Sequence, residues 1–156
     1  MTEVIANASP LIALEQIGEL WLLEALFQRI TVPPAVIAEI SRTVTPPPWI
    51  EARAITQPVG PRILSTALGA GEREALGLAL EISPRWLILD ERPARHIAQG
   101  LGLPVIGTLG ILLSAKQKGL IPALKPCLDG LLDHDFRLSM ALYEWVLSEA
   151  GESGGG

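Results

Sequence analysis

The sequence predicts an α/β fold, a three-layer α/β/α sandwich with a mostly parallel central sheet. Short apolar runs that are typical of buried strands alternate with longer segments that have helical apolar spacing. Each strand-like run is followed by a helix-start signal, and residues 68–110 give the clearest case, in the order helix, strand, helix, strand. Strand, helix and parallel strand form a right-handed unit, so repeated units build a parallel sheet with helices on its faces.

Four strands are predicted, each followed by a helix. Ser9 is the expected N-cap of the first helix, with Pro10 at its first position. A second apolar helix covers residues 20–27, and a proline pair opens the helix at 35–42. Residues 43–48 are rich in proline and residues 52–61 contain three breakers, so both read as irregular. The predicted strands are residues 4–6, 29–32, 86–89 and 104–107.

The second half of the chain continues the same alternation. Gly69 and Gly71 precede a helix that stops at Ser83 and Pro84, and Pro93 opens another that breaks at Gly102. The helix after the last strand begins at residue 108 or 110 and ends near 118. Residues 121–132 are helical with a kink at a proline, and Ser139 caps a final helix at 140–148. We therefore expect one domain over residues 1–148 and a disordered tail over 149–156.

Composition excludes several classes of site. The chain has 156 residues, one cysteine and two histidines, which rules out an internal disulfide and makes a thiolate or histidine zinc site improbable. We expect no membrane span and no signal peptide, and therefore a cytoplasmic protein, because the apolar runs are short and the start is acidic. The net charge of −5 gives no electrostatic reason to expect nucleic-acid binding. A carboxylate site for divalent cations would, however, contribute several of those charges.

Polar residues at strand ends are the first candidates for a functional site. Asn7 ends the first strand and Asp90 the third, and ligands of parallel sheets bind outside the carboxyl ends of the strands. On the helix between them, Leu76 and Ala79 lie within roughly 40° of Glu72 at about 100° per residue, whereas Glu74 is about 160° away. We therefore expect Glu72 to face the sheet and Glu74 to face water.

Each candidate also has a purely structural interpretation. Glu72 suits the N-terminus of its helix, and Asp90 could cap the helix that begins near Pro93. Glu39 lies about 100° from the centre of the apolar face of its helix, from which it could reach an edge crevice or remain a solvated acid. Arg92 and Arg95 are either surface charges or phosphate contacts. Several acids at one sheet edge carry more weight together, because their repulsion calls for a cation or a shared proton.

Six segments, in the same order along the chain, resemble the PIN-domain proteins, in particular the branch of predicted nucleic-acid-binding proteins (DUF3368-like) related to VapC-type toxin ribonucleases. The resemblance covers nearly the whole chain up to about Ser148. The segments are VIANASPLIALEQIGEL, PPAVIAEI, LGAGEREALGLALE, LILDERPAR, LPVIGTLGILLSAKQKGLI and FRLSMALYE.

The resemblance implies a metal-dependent ribonuclease. The family's acidic cluster, which binds Mg²⁺ or Mn²⁺, falls on Asn7, Glu39, Glu72 and Asp90, with Glu91 competing for the last position. In such a site the carboxylates hold one or two metal ions, and a metal-activated water cuts the phosphodiester. Ser9 and Thr108 match small hydroxyl positions near the site, and Arg92 and Arg95 are the candidate RNA contacts.

Asn7 departs from the family pattern, which has aspartate at this position. An amide oxygen can bind a hard cation but brings no charge, so we expect weaker metal binding. Two functions are therefore open: a ribonuclease of the toxin type, with RNA as substrate and an antitoxin protein as partner, or a catalytically weakened PIN-like module that binds nucleic acid or protein. A phosphoacceptor domain with Asp90 as acceptor fits poorly, because no convincing lysine partner is present. We also expect a homodimer, with the helix at 20–27, Trp21 and Trp145 as surfaces that could pair subunits.

Overall fold

Five short parallel strands form the centre of the molecule. A computed structural model of the chain describes residues 3–60, 63 and 68–152. In these residues the strands are β1 Val4–Ala6, β2 Ile30–Val32, β3 Ile50–Ala52, β4 Trp86–Ile88 and β5 Val105–Ile106. The order across the sheet is β3-β2-β1-β4-β5, and every pair is parallel. This confirms the predicted α/β class with its parallel sheet.

Helices cover both faces of this sheet. Alternate residues of β1 belong to different cores: Val4 and Ala6 pack into one hydrophobic cluster and Ile5 into the other. Six of the described helices contribute buried residues to the first cluster, and two contribute buried residues to the second. The predicted three layers are therefore present. The described helices are α1 Ala8–Gln16, α2 Trp21–Phe27, α3 Pro34–Ile40, α4 Ala70–Ile82, α5 Arg92–Gly100, α6 Thr108–Gln117, α7 Lys125–Asp133 and α8 Met140–Glu149.

The strand order reverses next to β1. The chain builds β2 and β3 on one side of β1 and then returns to place β4 and β5 on the other side. In open parallel sheets the loops that leave the strands at such a reversal diverge and leave a crevice, where ligands bind. Asn7, directly after β1, and Asp90, two residues after β4, lie at this end of the strands.

The edge strand β3 was missed by the sequence reasoning. Only Ile50 of its three residues is buried, and prolines precede it, so the pattern carries no strand signal. It nevertheless pairs with β2, from Ile30 opposite Ile50 to Val32 opposite Ala52. Residues 53–60 are irregular as predicted, and Pro61 lies outside the described residues.

Two helix boundaries also differ from the prediction. α1 begins at Ala8 with Asn7 at the N-cap position, so Ser9 lies inside the helix and is not its cap. α7 begins at Lys125, which puts Pro126 in the first turn, where its missing N–H breaks no helical bond and no kink arises. Ser139 caps α8 as predicted, its side chain accepting a hydrogen bond from the N–H of Leu142.

The predicted tail begins too early. α8 extends to Glu149, and the carboxylate of Glu152 lies 2.9 Å from Nζ of Lys116 and accepts a 2.7 Å hydrogen bond from the N–H of Leu124. Residues 149–152 are therefore packed against the domain, whereas 153–156 lie outside the described residues. Across the described chain, no helix combines the length and apolar character needed to cross a membrane.

Candidate functional site

Polar residues from three neighbouring strands meet at the carboxyl edge of the sheet. Asn7 follows β1, Asp90 and Glu91 follow β4, and Thr108 follows β5. The N–H of Asn7 donates a 3.0 Å hydrogen bond to the carbonyl of Ile88 and so ties the ends of the two central strands together. The predicted meeting of Asn7 and Asp90 at one sheet edge follows from the parallel order of these strands.

Asp90 is held by the helix after β5. Its two carboxylate oxygens accept hydrogen bonds from the N–H of Thr108 at 2.8 Å and from the Thr108 hydroxyl at 2.6 Å. Thr108 is fully buried and is the first residue of α6, so Asp90 caps the N-terminus of α6. It does not cap α5, whose N-cap residue is Glu91. Burial raises the pKa of the Asp90 carboxyl, although the two bonds from Thr108 and the charge of Arg95 oppose the rise.

Glu91 is the N-cap residue of α5 and is exposed. The Ser9 hydroxyl donates to its carboxylate at 3.4 Å, which is long for an O–H···O bond. Ser9 therefore lies beside the site, as the resemblance implies, but holds Glu91 only weakly.

Glu72 is partly buried at the start of α4, as its helical position predicts. One carboxylate oxygen accepts a 3.1 Å bond from the N–H of Gly69, and the other, Oε2, is buried and has no hydrogen-bond partner among the described residues. Burial raises the pKa of Glu72, the Gly69 N–H opposes the rise, and the negative charges of Glu91 and Glu39 add to it. Oδ1 of Asn7, a residue that is only 2% exposed, is also buried and unpartnered.

Glu39 and Glu74 link helices α3 and α4. The carboxylate of Glu39 accepts a 2.9 Å hydrogen bond from the N–H of Gly71, in the first turn of α4. In return, Glu74 accepts a 3.3 Å bond from the N–H of Ala35, in the first turn of α3. The prediction that Glu74 faces water is therefore wrong, because an antiparallel neighbouring helix covers it. Each acid satisfies a backbone donor that its partner helix leaves free.

The acids form a row across the edge of the sheet. In addition to burial, the negative charges of Glu91 and Glu39 raise the pKa of Glu72, and the negative charge of Glu91 raises the pKa of Asp90. Within residues 3–60, 63 and 68–152, no three histidine, cysteine, aspartate or glutamate side chains come together as a group that could hold a metal ion. Coordination of one shared cation by Glu39, Glu72 and Asp90 therefore stays a prediction.

The donor types of this edge nevertheless suit a hard cation. Carboxylate and amide oxygens are the ligands that Mg²⁺ and Mn²⁺ prefer, and the two unpartnered buried atoms, Oδ1 of Asn7 and Oε2 of Glu72, are both of this kind. A buried oxygen without a donor costs about 1–3 kcal/mol, which a bound cation or an ordered water would remove. Glu39 and Asp90 are already engaged with backbone N–H groups, so they would bind a metal through their remaining lone pairs.

Gly107 keeps this edge open and was not singled out from the sequence. A Cβ placed there would lie 2.7 Å from the Arg95 guanidinium and 2.9 Å from Oδ1 of Asp90. Both groups therefore approach the same point of the backbone, although the described residues show no ion pair between them. The signal that could have found it is a glycine between a buried strand and a helix start.

A wide groove of about 1330 Å³ opens beside this edge. Its lining includes Ser9, Asp90 and Glu91, and it continues along α5 towards Trp145 on α8. Arg92 and Arg95, the predicted RNA contacts, both line it. The sequence contains a signal for this wall, since Arg92, Arg95, His96 and Gln99 recur at three- and four-residue spacing on one face of a helix.

The chain matches one known protein family over almost its full length. The family model, described as DUF3368: PIN domain, matches residues 3–152. Among curated proteins and among solved structures, none matches the chain significantly.

Proposed function

Because the chain belongs to the PIN-domain family of the DUF3368 type, whose members share a nuclease-like fold, we propose that it is a metal-dependent ribonuclease related to the VapC-type toxins. PIN domains are generally nucleases and usually use divalent metals. The finer proposal is hydrolysis of RNA phosphodiester bonds with Mg²⁺ or Mn²⁺ held at the carboxyl edge of the sheet.

The observation that carries this proposal is the pair of unpartnered buried oxygens. Oδ1 of Asn7 and Oε2 of Glu72 are acceptors that no described donor satisfies, and Glu72 stands beside further negative charge. Such an arrangement is costly in an empty site, whereas a divalent cation would satisfy both oxygens and offset the repulsion. A purely structural role at a helix surface would leave these two oxygens in contact with water, so it does not explain why they are buried.

The residues then take distinct parts. Glu72 and Asp90 hold the metal, with Glu39, Asn7 and Glu91 as the remaining oxygen donors. A divalent metal, when bound, supplies a water of lowered pKa and stabilises charge on the phosphate.

Residues beside these donors orient them and meet the substrate. Thr108 fixes both oxygens of Asp90, since it donates from its N–H and from its hydroxyl. Ser9 lies against Glu91. Arg92 and Arg95, which line the same groove as Asp90, contact the phosphates of the RNA.

Asn7 supports a second candidate, a PIN-like module that binds nucleic acid or protein and cuts weakly or not at all. The family has an aspartate at this position, and the described residues contain no group of three acids ready for a metal. Loss of one negative charge from the site lowers its affinity for a divalent cation.

Cleavage of single-stranded RNA with and without Mn²⁺ tests the first candidate. We expect Mn²⁺-dependent cleavage that Asp90→Asn abolishes and Asn7→Asp strengthens. Metal-independent cleavage that survives Asp90→Asn would refute the assignment. RNA binding without cleavage, unchanged by Asn7→Asp, would favour the second candidate.

Thermal unfolding gives an independent measure of the metal site. A cation that binds only the folded state raises the melting temperature with its concentration. Asn7→Asp buries an additional charge, so we expect this variant to melt lower than the wild type in EDTA and to gain more from Mn²⁺. If Mn²⁺ stabilises both proteins equally, Asn7 does not contact the metal.

The remaining parts of the proposal concern partners and location. We propose an antitoxin protein as partner, a cytoplasmic location and a homodimer that pairs through the exposed surface around Trp21. Sedimentation of the wild type and Trp21→Ala tests the dimer, because the substitution removes a ring that is 45% exposed on α2.

A further inference from the structure

The groove beside the carboxyl edge is too large for an ordinary small-molecule site. Its volume of about 1330 Å³ exceeds the roughly 300–1,000 Å³ of typical ligand pockets. One wall is the face of α5 that carries Arg92, Arg95, His96 and Gln99, over eight residues or about 10 Å of helix. This shape suits an extended polymer.

The charges along this groove are free to bind a ligand. Arg92, Arg95 and Arg137 all line it, and in the part of the chain that the structure describes none of the three forms an ion pair within 4 Å. Four cations elsewhere on the described surface are paired with acids, namely Arg29, Arg53, Lys116 and Lys125. Arg42, Arg85 and Lys118 are exposed without such a pair in the described residues, but they lie apart from one another in the sequence and none of them lines this groove. On a chain with a net charge of −5, these three arginines balance the three acids of the same groove, Asp90, Glu91 and Asp135, so the groove repels phosphates less than the rest of the surface does.

An exposed aromatic ring lies in the same groove. Trp145 of α8 is 56% exposed, although its neighbours Val146 and Leu147 are buried in the core. A tryptophan left open to water beside arginines is the combination with which proteins bind single-stranded nucleic acid, since bases stack on the ring and phosphates meet the cations. Only an unpaired base can lie flat on such a ring.

We propose that this groove binds single-stranded RNA, with one base stacked on Trp145 and phosphates bound by Arg137 and Arg92. The inference rests on the proposed nuclease function for the position of the scissile bond, because Trp145 lines the same groove as Asp90 and Glu91. The distance from Trp145 to Asp90 thereby determines how far from the cleaved bond the RNA must carry an unpaired base. An acidic peptide meets the same acids of the groove as RNA does, but its carboxylate side chains offer no flat ring that stacks on Trp145, so it fits less well.

Binding in EDTA separates this groove from the chemistry. Affinity is measured by fluorescence anisotropy of a labelled single-stranded oligoadenylate on the full chain, without divalent metal. We expect Trp145→Ala to weaken binding about 5- to 100-fold and Trp145→Phe to retain most of it, because a smaller ring still stacks. Leu80→Ala is the control, since Leu80 is a large apolar side chain that is 46% exposed but does not line this groove.

The salt dependence tests the arginines. Removal of one phosphate contact should lower the slope of log affinity against log salt by about 0.7 for a single strand. We expect this change for Arg137→Gln. Arg85→Gln should leave the slope unchanged, because Arg85 is exposed at the opposite edge of the sheet. Far-ultraviolet circular dichroism and melting temperatures show that the variants are folded.

The outcomes distinguish this proposal from the nuclease proposal. Trp145-dependent binding in EDTA by a protein that never cuts RNA would support the groove and refute the nuclease. Mn²⁺-dependent cleavage with the same affinity for Trp145→Ala as for the wild type would refute the groove and leave the nuclease intact. A change of sedimentation coefficient with Trp145→Ala, without a change of RNA affinity, would assign the ring to a subunit interface and overturn the proposal.

Discussion

The contact between Thr108 and Asp90 gives a quantitative test of how the candidate site is held together. Thr108→Val keeps the shape of the side chain and the backbone N–H bond of 2.8 Å to Asp90. It removes the hydroxyl donor, which lies 2.6 Å from the other carboxylate oxygen at a fully buried position. A hydrogen bond to a charged group contributes about 1.5–3 kcal/mol, so we expect the free energy of unfolding to fall by about that amount at neutral pH.

The effect should depend on pH with a definite sign. Burial holds the pKa of folded Asp90 above its ordinary value, and loss of the hydroxyl raises it further. The variant is therefore most impaired where Asp90 is ionised in the wild type. As the pH falls through these folded pKa values, both proteins carry a protonated Asp90 and the difference in stability shrinks.

Urea unfolding in EDTA at neutral and acidic pH measures this difference, provided that the m-values agree. Thr108→Ser is the control, because it keeps the hydroxyl and loses only a methyl group, at about 0.5–1.5 kcal/mol. Its deficit should stay constant with pH. If Thr108→Val costs no more than Thr108→Ser, or if its deficit does not change with pH, the hydroxyl does not stabilise an ionised Asp90.

Four further substitutions test the same edge of the sheet. Gly107→Ala should destabilise the protein by about 1–3 kcal/mol in thermal unfolding, because the added Cβ overlaps the carboxylate of Asp90. An unchanged stability would show that Asp90 and Arg95 can move to accommodate the methyl group. Glu72→Gln should raise the melting temperature in EDTA at neutral pH and lose this advantage as the pH falls, since the raised pKa of Glu72 means that its ionised form is disfavoured by folding. Glu39→Gln and Glu74→Gln should each cost about 0.3–1 kcal/mol of stability, but only Glu39→Gln should weaken Mn²⁺ binding by calorimetry; equal binding by both would make Glu39 a helix cap alone.

The fold could be predicted wherever burial leaves a clear pattern. β4 lies in an unbroken apolar run that ends at Asp90, so the sequence predicts a strand that is buried on both faces of a parallel sheet. The position of β4 between β1 and β5 is known only from the structure. β3 could not be predicted, because an edge strand with one buried residue, Ile50, owes its structure to pairing with β2 and leaves no periodic signal.

The sequence could predict that Asn7 and Asp90 lie at the same end of the sheet, but it could not predict the contacts of the acids. Strand ends in a parallel sheet share an edge, so Asn7 and Asp90 had to lie together. The direction of Glu74 was misjudged, because helical periodicity gives an angle about the helix axis and says nothing of a second helix packed alongside. Gly71, which leaves room for the Glu39 carboxylate, is likewise explained only by that packing.

Backbone N–H groups at helix N-termini stabilise some of the acids at this edge without a metal ion. The sequence alone predicts that several acids at one edge need a cation or a shared proton. In the structure Asp90 accepts from the start of α6, Glu39 from the start of α4, and Glu72 from the residue that precedes α4. Each of these positive helix ends stabilises a carboxylate by about 0.3–1 kcal/mol, up to about 2 kcal/mol when partly buried. Repulsion among the acids is therefore partly relieved by the fold, and the inference of a metal rests on the two oxygens that no helix end reaches, Oδ1 of Asn7 and Oε2 of Glu72.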